Sequence, residues 1–248
     1  MAHLDTGPAR VVTPPAAVSP RRVLHTALRT YRDEFPRVAG TAFVIFGAVA
    51  LIDAFAVVLV VDKHVSHPVG ALVVSAFAGV TGMVGVVFYA GVLDKVVGAH
   101  LHGHADIPMR DMWKVLPLGR LAVADVLLAL ATVVGLALGV VPATIVFTFW
   151  ALVGPVITME DRSVMEAFRR STQLVRRAFW RTLLLVTLPL QVEQGVLHAI
   201  HYEEVFNHPL VPAFFLNGLL GAAIGSLVGL VEVVLADELI AQVPAGIA

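Results

Sequence analysis

Three observations predict an all-α integral membrane fold, with six transmembrane helices, two amphipathic interfacial helices, and N and C termini in the cytoplasm. Apolar residues make up 58% of the 248 residues and charged residues 14%, and the mean hydropathy of +0.86 lies well outside the soluble range. Six long apolar stretches carry that excess. The 17 Lys and Arg fall as six before the first stretch, four between the second and third, six between the fourth and fifth, and one elsewhere, which is how the positive-inside rule marks cytoplasmic segments.

Residues 1–18 are rich in Pro, Ala and Thr without an apolar period, so a disordered cytoplasmic tail is expected there. One membrane domain is expected over 19–240, followed by a C-terminal tail at 241–248. Ser19-Pro20 is a helix start, and Val23, Leu24, Ala27, Leu28, Tyr31 and Phe35 then oppose Arg22, Arg29, Arg32 and Asp33. The spacing predicts an interfacial helix over about 20–35. Span one covers 38–61, whose 24 residues reach roughly 36 Å, enough to cross with some tilt. Span two, 68–93, returns to a loop bearing Lys95, Arg110, Lys114 and Arg120. Residues 121–158 are too many for one helix, and Val140-Val141-Pro142 divides them into spans at 121–139 and 142–158.

Ser163-Val164-Met165-Glu166 is a capping box that opens a second interfacial helix over about 163–180. Val164, Phe168, Ser171, Val175, Ala178 and Phe179 form its apolar face, with Arg162, Arg169, Arg170, Arg176, Arg177 and Arg181 around them. Span five follows at 182–201, kinked at Pro189, and span six at 213–236, ending at Asp237-Glu238. The two interfacial segments resemble each other weakly. At a constant offset of 144, Ala167-Phe168, Arg176, Phe179 and Arg181 match Val23-Leu24, Arg32, Phe35 and Arg37, which raises a duplicated unit without establishing it.

The order of basic amphipathic helix, span and proline hairpin, then Trp150-Ala151-Leu152-Val153-Gly154-Pro155, Glu160 and Glu166-Ala167-Phe168-Arg169-Arg170-Ser171, resembles a group of six-span bacterial membrane proteins. One branch of that group is the membrane domain fused to glycerophosphoryl diester phosphodiesterases. The resemblance is closest over Ser19 to Phe35 and Gly139 to Leu183. It implies the six-span fold and topology. With the soluble phosphodiesterase barrel absent from this sequence, it implies no catalytic residues.

Acids inside apolar stretches are the first candidates for chemistry, because a charge at mid-membrane costs about 2.5 to 3.5 kcal/mol on insertion scales. Asp53 and Glu193 each stand eight residues before the outer end of a span, roughly 12 Å below the surface. With Gln194 and His198 on the polar stripe of span five, they form a candidate intramembrane site for a proton, a cation or a headgroup. Hydrogen-bonded packing without a ligand is the alternative. Asp125 and Glu232 lie near the cytoplasmic ends, where pairing with Arg120 or the basic helices is expected. His100, His102, His104 and Asp106 would share one side of an extended strand, a weak candidate for zinc or nickel against an incidental exposed loop. Arg169, Arg170, Arg176 and Arg177 are the expected contacts for lipid or a partner.

The sequence has no Cys, no nucleophile elbow, no phosphate loop and no dinucleotide fingerprint, so no cofactor and no catalytic residue are expected. Charges segregated around spans, with a net of −1, argue against nucleic acid. Arg over Lys, with abundant Ala, Val and Gly, suggests a bacterial inner (cytoplasmic) membrane. The expected function is a non-enzymatic membrane accessory or scaffold, which engages anionic lipid or a cytosolic or membrane-protein partner. The alternative is a small transporter or lipid-handling permease using the outer-half polar site.

Overall fold

The computed structural model describes residues 19–61, 85–102, 111, 114–193, 219 and 221–242. Every regular element among the described residues is helical. α1 (Pro20–Asp33) starts after Ser19 with proline in its first turn, where the missing N–H has no helical partner to lose. Glu34 ends it at φ −110°, ψ 20°, and α2 (Phe35–Val61) leaves at 90°. α3 (Val86–His102), α4 (Leu118–Ala137), α5 (Val140–Trp150), α6 (Val153–Met159) and α7 (Val164–Thr182) follow. A π-helical turn, Leu183–Thr187, carries α7 into helical residues 188–193, and another, Gly221–Gly225, carries the chain into α8 (Ser226–Gln242).

Two helical runs are long and apolar enough to cross a bilayer: α4, and α5 with α6 as one run of 20 residues. A third arises if the bent α1–α2 pair counts as one span. The described residues thus supply two or three spans, short of the six expected. Much of the expected second span, part of the fifth and the start of the sixth lie outside them, as do the tails at 1–18 and 243–248.

The hairpin between α4 and α5 turns at Leu138-Gly139, just before the expected break at Val140-Val141-Pro142. Gly139 supplies the φ of 124° that a side chain resists. Pro142 then sits in the first turn of α5, where it interrupts no hydrogen bond. α4 carries two apolar faces. Leu121, Ala124, Leu128 and Ala129 are buried, while Val123, Val126, Leu130 and Val134 are exposed along the opposite side. A helix apolar on its outer face as well as its inner one is built to meet lipid.

Glycines set the closest crossings. A Cβ on Gly135 would lie 2.8 Å from the Ala143 Cα, so α4 and α5 touch backbone to backbone, and Gly154 of α6 packs onto the Val87 carbonyl and the Gly91 amide of α3.

Candidate functional site

The arginines of α7 divide into a buried one and an exposed set. Ala167, Phe168, Ser171, Leu174, Val175 and Ala178 turn inward, onto α5 and α6, with Trp150 stacked edge-on to Phe168 at 4.8 Å and Phe149 on Phe179 at 5.3 Å. Arg169, Arg176 and Arg177 project outward. Beside them stand Met165 and Trp180, 61% and 71% exposed, an apolar contribution that the sequence pattern did not single out.

Arg170 departs from expectation. It is 4% exposed, and it donates to Glu160 through Nε at 3.0 Å and Nη2 at 2.9 Å. It is therefore not a lipid contact. Its angular position, at the edge of the buried arc, carries it under the preceding turn, where a fork-shaped donor meets a carboxylate. Arg162 Nε also donates to Glu160. Arg120, at the start of α4, donates to the Asp161 carboxylate at 2.6 Å and to the Arg162 carbonyl at 3.0 Å. Asp161 holds φ at +48°, a conformation that Asp tolerates better than most residues.

Ser171 completes this joint. Its hydroxyl accepts from Leu152 N–H at 3.3 Å and donates to Phe149 O at 2.8 Å, which bridges the break between α5 and α6 that precedes Pro155. At the start of α7, both the Ser163 hydroxyl (2.6 Å) and its N–H (3.1 Å) donate to Glu166. These bonds hold the Glu166 carboxyl below the usual carboxylate range. The segments 150–155, 160 and 166–171 thus converge as the seat that fixes the basic helix.

α1 is seated differently. It packs on α8 through Val23, Ala27 and Thr30, and Arg22 Nε lies 2.9 Å from Glu238 Oε1. The broad apolar face expected of α1 is split. Leu24, Leu28 and Phe35 stay exposed between the buried stripe and the exposed Arg21, Arg29 and Arg32.

The acids take separate roles. Asp125 is not paired with Arg120; its carboxylate accepts the Gly85 and Val87 N–H groups and so caps the start of α3 from a neighbouring helix. Glu232 of α8 is buried with neither oxygen hydrogen-bonded among the described residues, and Asp125 is close enough to act on it electrostatically. Glu193 is 5% exposed with Oε2 likewise unpartnered. Gln191, two residues earlier, is turned toward α5 by a mutual contact with Thr144 (Nε2 to Oγ1, 2.8 Å), and Thr187 meets Thr148 at 3.1 Å. Asp53 lies on α2, but its side chain, together with Gln194 and His198, falls outside the described residues, so the expected four-residue site is represented by Glu193.

α3 is helical through His102, which removes the extended strand on which a His100 and His102 metal site depended; His104 and Asp106 fall outside the described residues. Among the described residues no group of three metal-ligating side chains converges. No family model, curated protein or solved structure matches the chain.

Proposed function

We propose that the chain is a six-span protein of the bacterial inner membrane with cytoplasmic termini. In this reading it acts as a non-enzymatic accessory or scaffold whose two basic interfacial helices engage anionic phospholipid. The observation that carries this reading is α7. Its apolar face is buried in the bundle, one arginine is consumed internally, and Arg169, Arg176 and Arg177 remain exposed between Met165 and Trp180. Arginines flanked by a large aromatic and an apolar side chain suit the headgroup level of a membrane. The distribution of Lys and Arg and the resemblance to six-span bacterial membrane proteins support the topology, and the absence of catalytic motifs supports a non-enzymatic role.

Three exposed arginines at about 1 kcal/mol each near an anionic surface amount to roughly a hundredfold preference for anionic over neutral lipid. The test is lipid exchange into nanodiscs of phosphatidylglycerol or phosphatidylcholine. Replacing Arg169, Arg176 and Arg177 together with Ala is expected to weaken the preference for phosphatidylglycerol without abolishing it, since α1 keeps its own arginines, and 1 M salt should weaken it too. An unchanged preference would refute the assignment.

A transport reading draws on Glu193, buried with an unpartnered oxygen, since intramembrane carboxylates often mark ion paths. Proteoliposomes test it: a proton or cation flux abolished by Glu193→Gln supports it, and absence of flux in the parent protein counts against it.

A further inference from the structure

Ser19 and Ser163 each stand before an amphipathic helix, and α1 and α7 begin one residue later, at Pro20 and Val164. At equivalent points, Glu34 and Ala178, the backbone leaves helical geometry with similar angles, φ −110°, ψ 20° and φ −131°, ψ 22°. The register is the same offset of 144 that aligns Arg32, Phe35 and Arg37 with Arg176, Phe179 and Arg181.

Burial follows this register at a set of positions on both sides of the hinge, though Leu24 and Phe43 are exposed where their counterparts Phe168 and Thr187 are buried. Val23, Ala27, Thr30, Val38 and Ala42 are buried in the first segment, and their counterparts Ala167, Ser171, Leu174, Thr182 and Val186 in the second. Pro36, Gly40, Val44 and Ala48 are exposed, and so are Trp180, Leu184, Leu188 and Val192. Chemical similarity does not explain the match, since Thr30 pairs with Leu174 and Gly40 with Leu184. α8 touches both segments, but the principal neighbours differ: α8 for α1, and α5 and α6 for α7.

We propose that 19–48 and 163–192 are two copies of one unit, each with an equivalent hinge site for the phosphate of an anionic phospholipid: Arg32, Phe35 and Arg37 in the first copy, Arg176, Phe179 and Arg181 in the second. The proposal rests on the reading of the basic helices as lipid-engaging, and it gives that reading a location and a stoichiometry. In each copy one arginine ends the interfacial helix and the other begins the span, so the pair brackets the hinge where the exposed apolar stripe starts. Arg32, Arg37 and Arg176 are exposed and Arg181 is half-buried. Arg37 also contacts Glu34 at 3.3 Å. Arg169 and Arg177 are not repeated; His25 and Asp33 occupy their counterpart positions.

Native mass spectrometry of the full chain, titrated with phosphatidylglycerol in detergent, counts the tightly held lipids. Two are expected. Arg32→Ala with Arg37→Ala should lose one, Arg176→Ala with Arg181→Ala the other, and the fourfold variant both, while Arg169→Ala with Arg177→Ala keeps two. Lys at the four hinge positions should restore binding, which separates lost charge from lost folding. If the hinge variants keep both lipids and the Arg169 and Arg177 variant loses them, the hinge sites are overturned while lipid engagement by the basic face stands. If every variant holds phosphatidylglycerol and phosphatidylcholine alike, both readings fall. Displacement of the lipid by millimolar inorganic phosphate would overturn a lipid site in favour of a soluble anion.

Discussion

Glu160 receives two arginines, of which Arg170 is the more deeply buried. Removing one partner of a buried pair is costly because the other is left without its charge. Arg170→Ala is expected to destabilise the protein by about 3 kcal/mol, at the lower end for such pairs since Arg162 remains. Arg169→Ala, one position away on the exposed side, should fall within about 0.5 kcal/mol; thermal unfolding in detergent distinguishes them. Glu166 gives a pH signature at the same helix. Its folded carboxyl is held below its ordinary value by Ser163, so its contribution is present above the unfolded pKa and is lost as pH falls through the folded one. Hydrogen-exchange protection at the first turn of α7, corrected for the intrinsic pH dependence of exchange, should therefore fall under acid conditions, and Ser163→Ala should move that onset to higher pH. The capping box was legible because its partners are three residues apart. The fate of Arg170 was only half legible: the helical period sets it at the edge of the buried arc, but its partner lies ten residues upstream, across a turn.

At the scale of elements, close crossings make the sharpest prediction. Gly154→Ala would drive a methyl group into the Val87 carbonyl and to 3.2 Å from the Gly91 amide, where neither backbone can yield, and is expected to cost about 1–3 kcal/mol. Gly40→Ala and Gly47→Ala meet nothing within 4 Å and should be neutral or stabilising, because Ala is the better helix former. Unfolding of the three variants side by side tests the contrast; equal behaviour would mean that α3 and α6 do not cross at these glycines. Helix starts at Ser19-Pro20 and Ser163 could be read directly from caps. The α4–α5 hairpin was read at Val140-Val141-Pro142, one residue past the turn, because proline was taken as the breaker when Gly139 makes the turn. The hinge at Ala178 had no local signal, since Ala is the strongest helix former. The capping of α3 by Asp125 was equally hidden, as it joins residues 38 and 40 positions apart.

For the whole molecule, the side of the membrane on which each basic helix lies is a matter of parity. α4 and the α5–α6 run are each long and apolar enough to cross a bilayer, and the hairpin between them puts Leu138 at one end and Met165 at the other. If α1 and α7 are repeats that each feed a span in the same direction, they lie on one face, and the chain between them must cross an even number of times. The six-span reading meets this with four crossings, including a return between 62 and 102. The absence of native Cys makes the test clean, because one introduced thiol reports one position. Leu28, Leu138 and Met165 are 53%, 76% and 61% exposed, so Leu28→Cys, Leu138→Cys and Met165→Cys should all fold. An impermeant thiol reagent added outside intact cells is expected to label Leu138→Cys alone. Leu28→Cys and Met165→Cys should react only after the cells are opened, as the positive-inside rule requires of the arginine-bearing face. Labelling of Leu28→Cys and Met165→Cys from opposite sides would make the number of crossings odd, and both the six-span topology and the parallel repeat would then fail together.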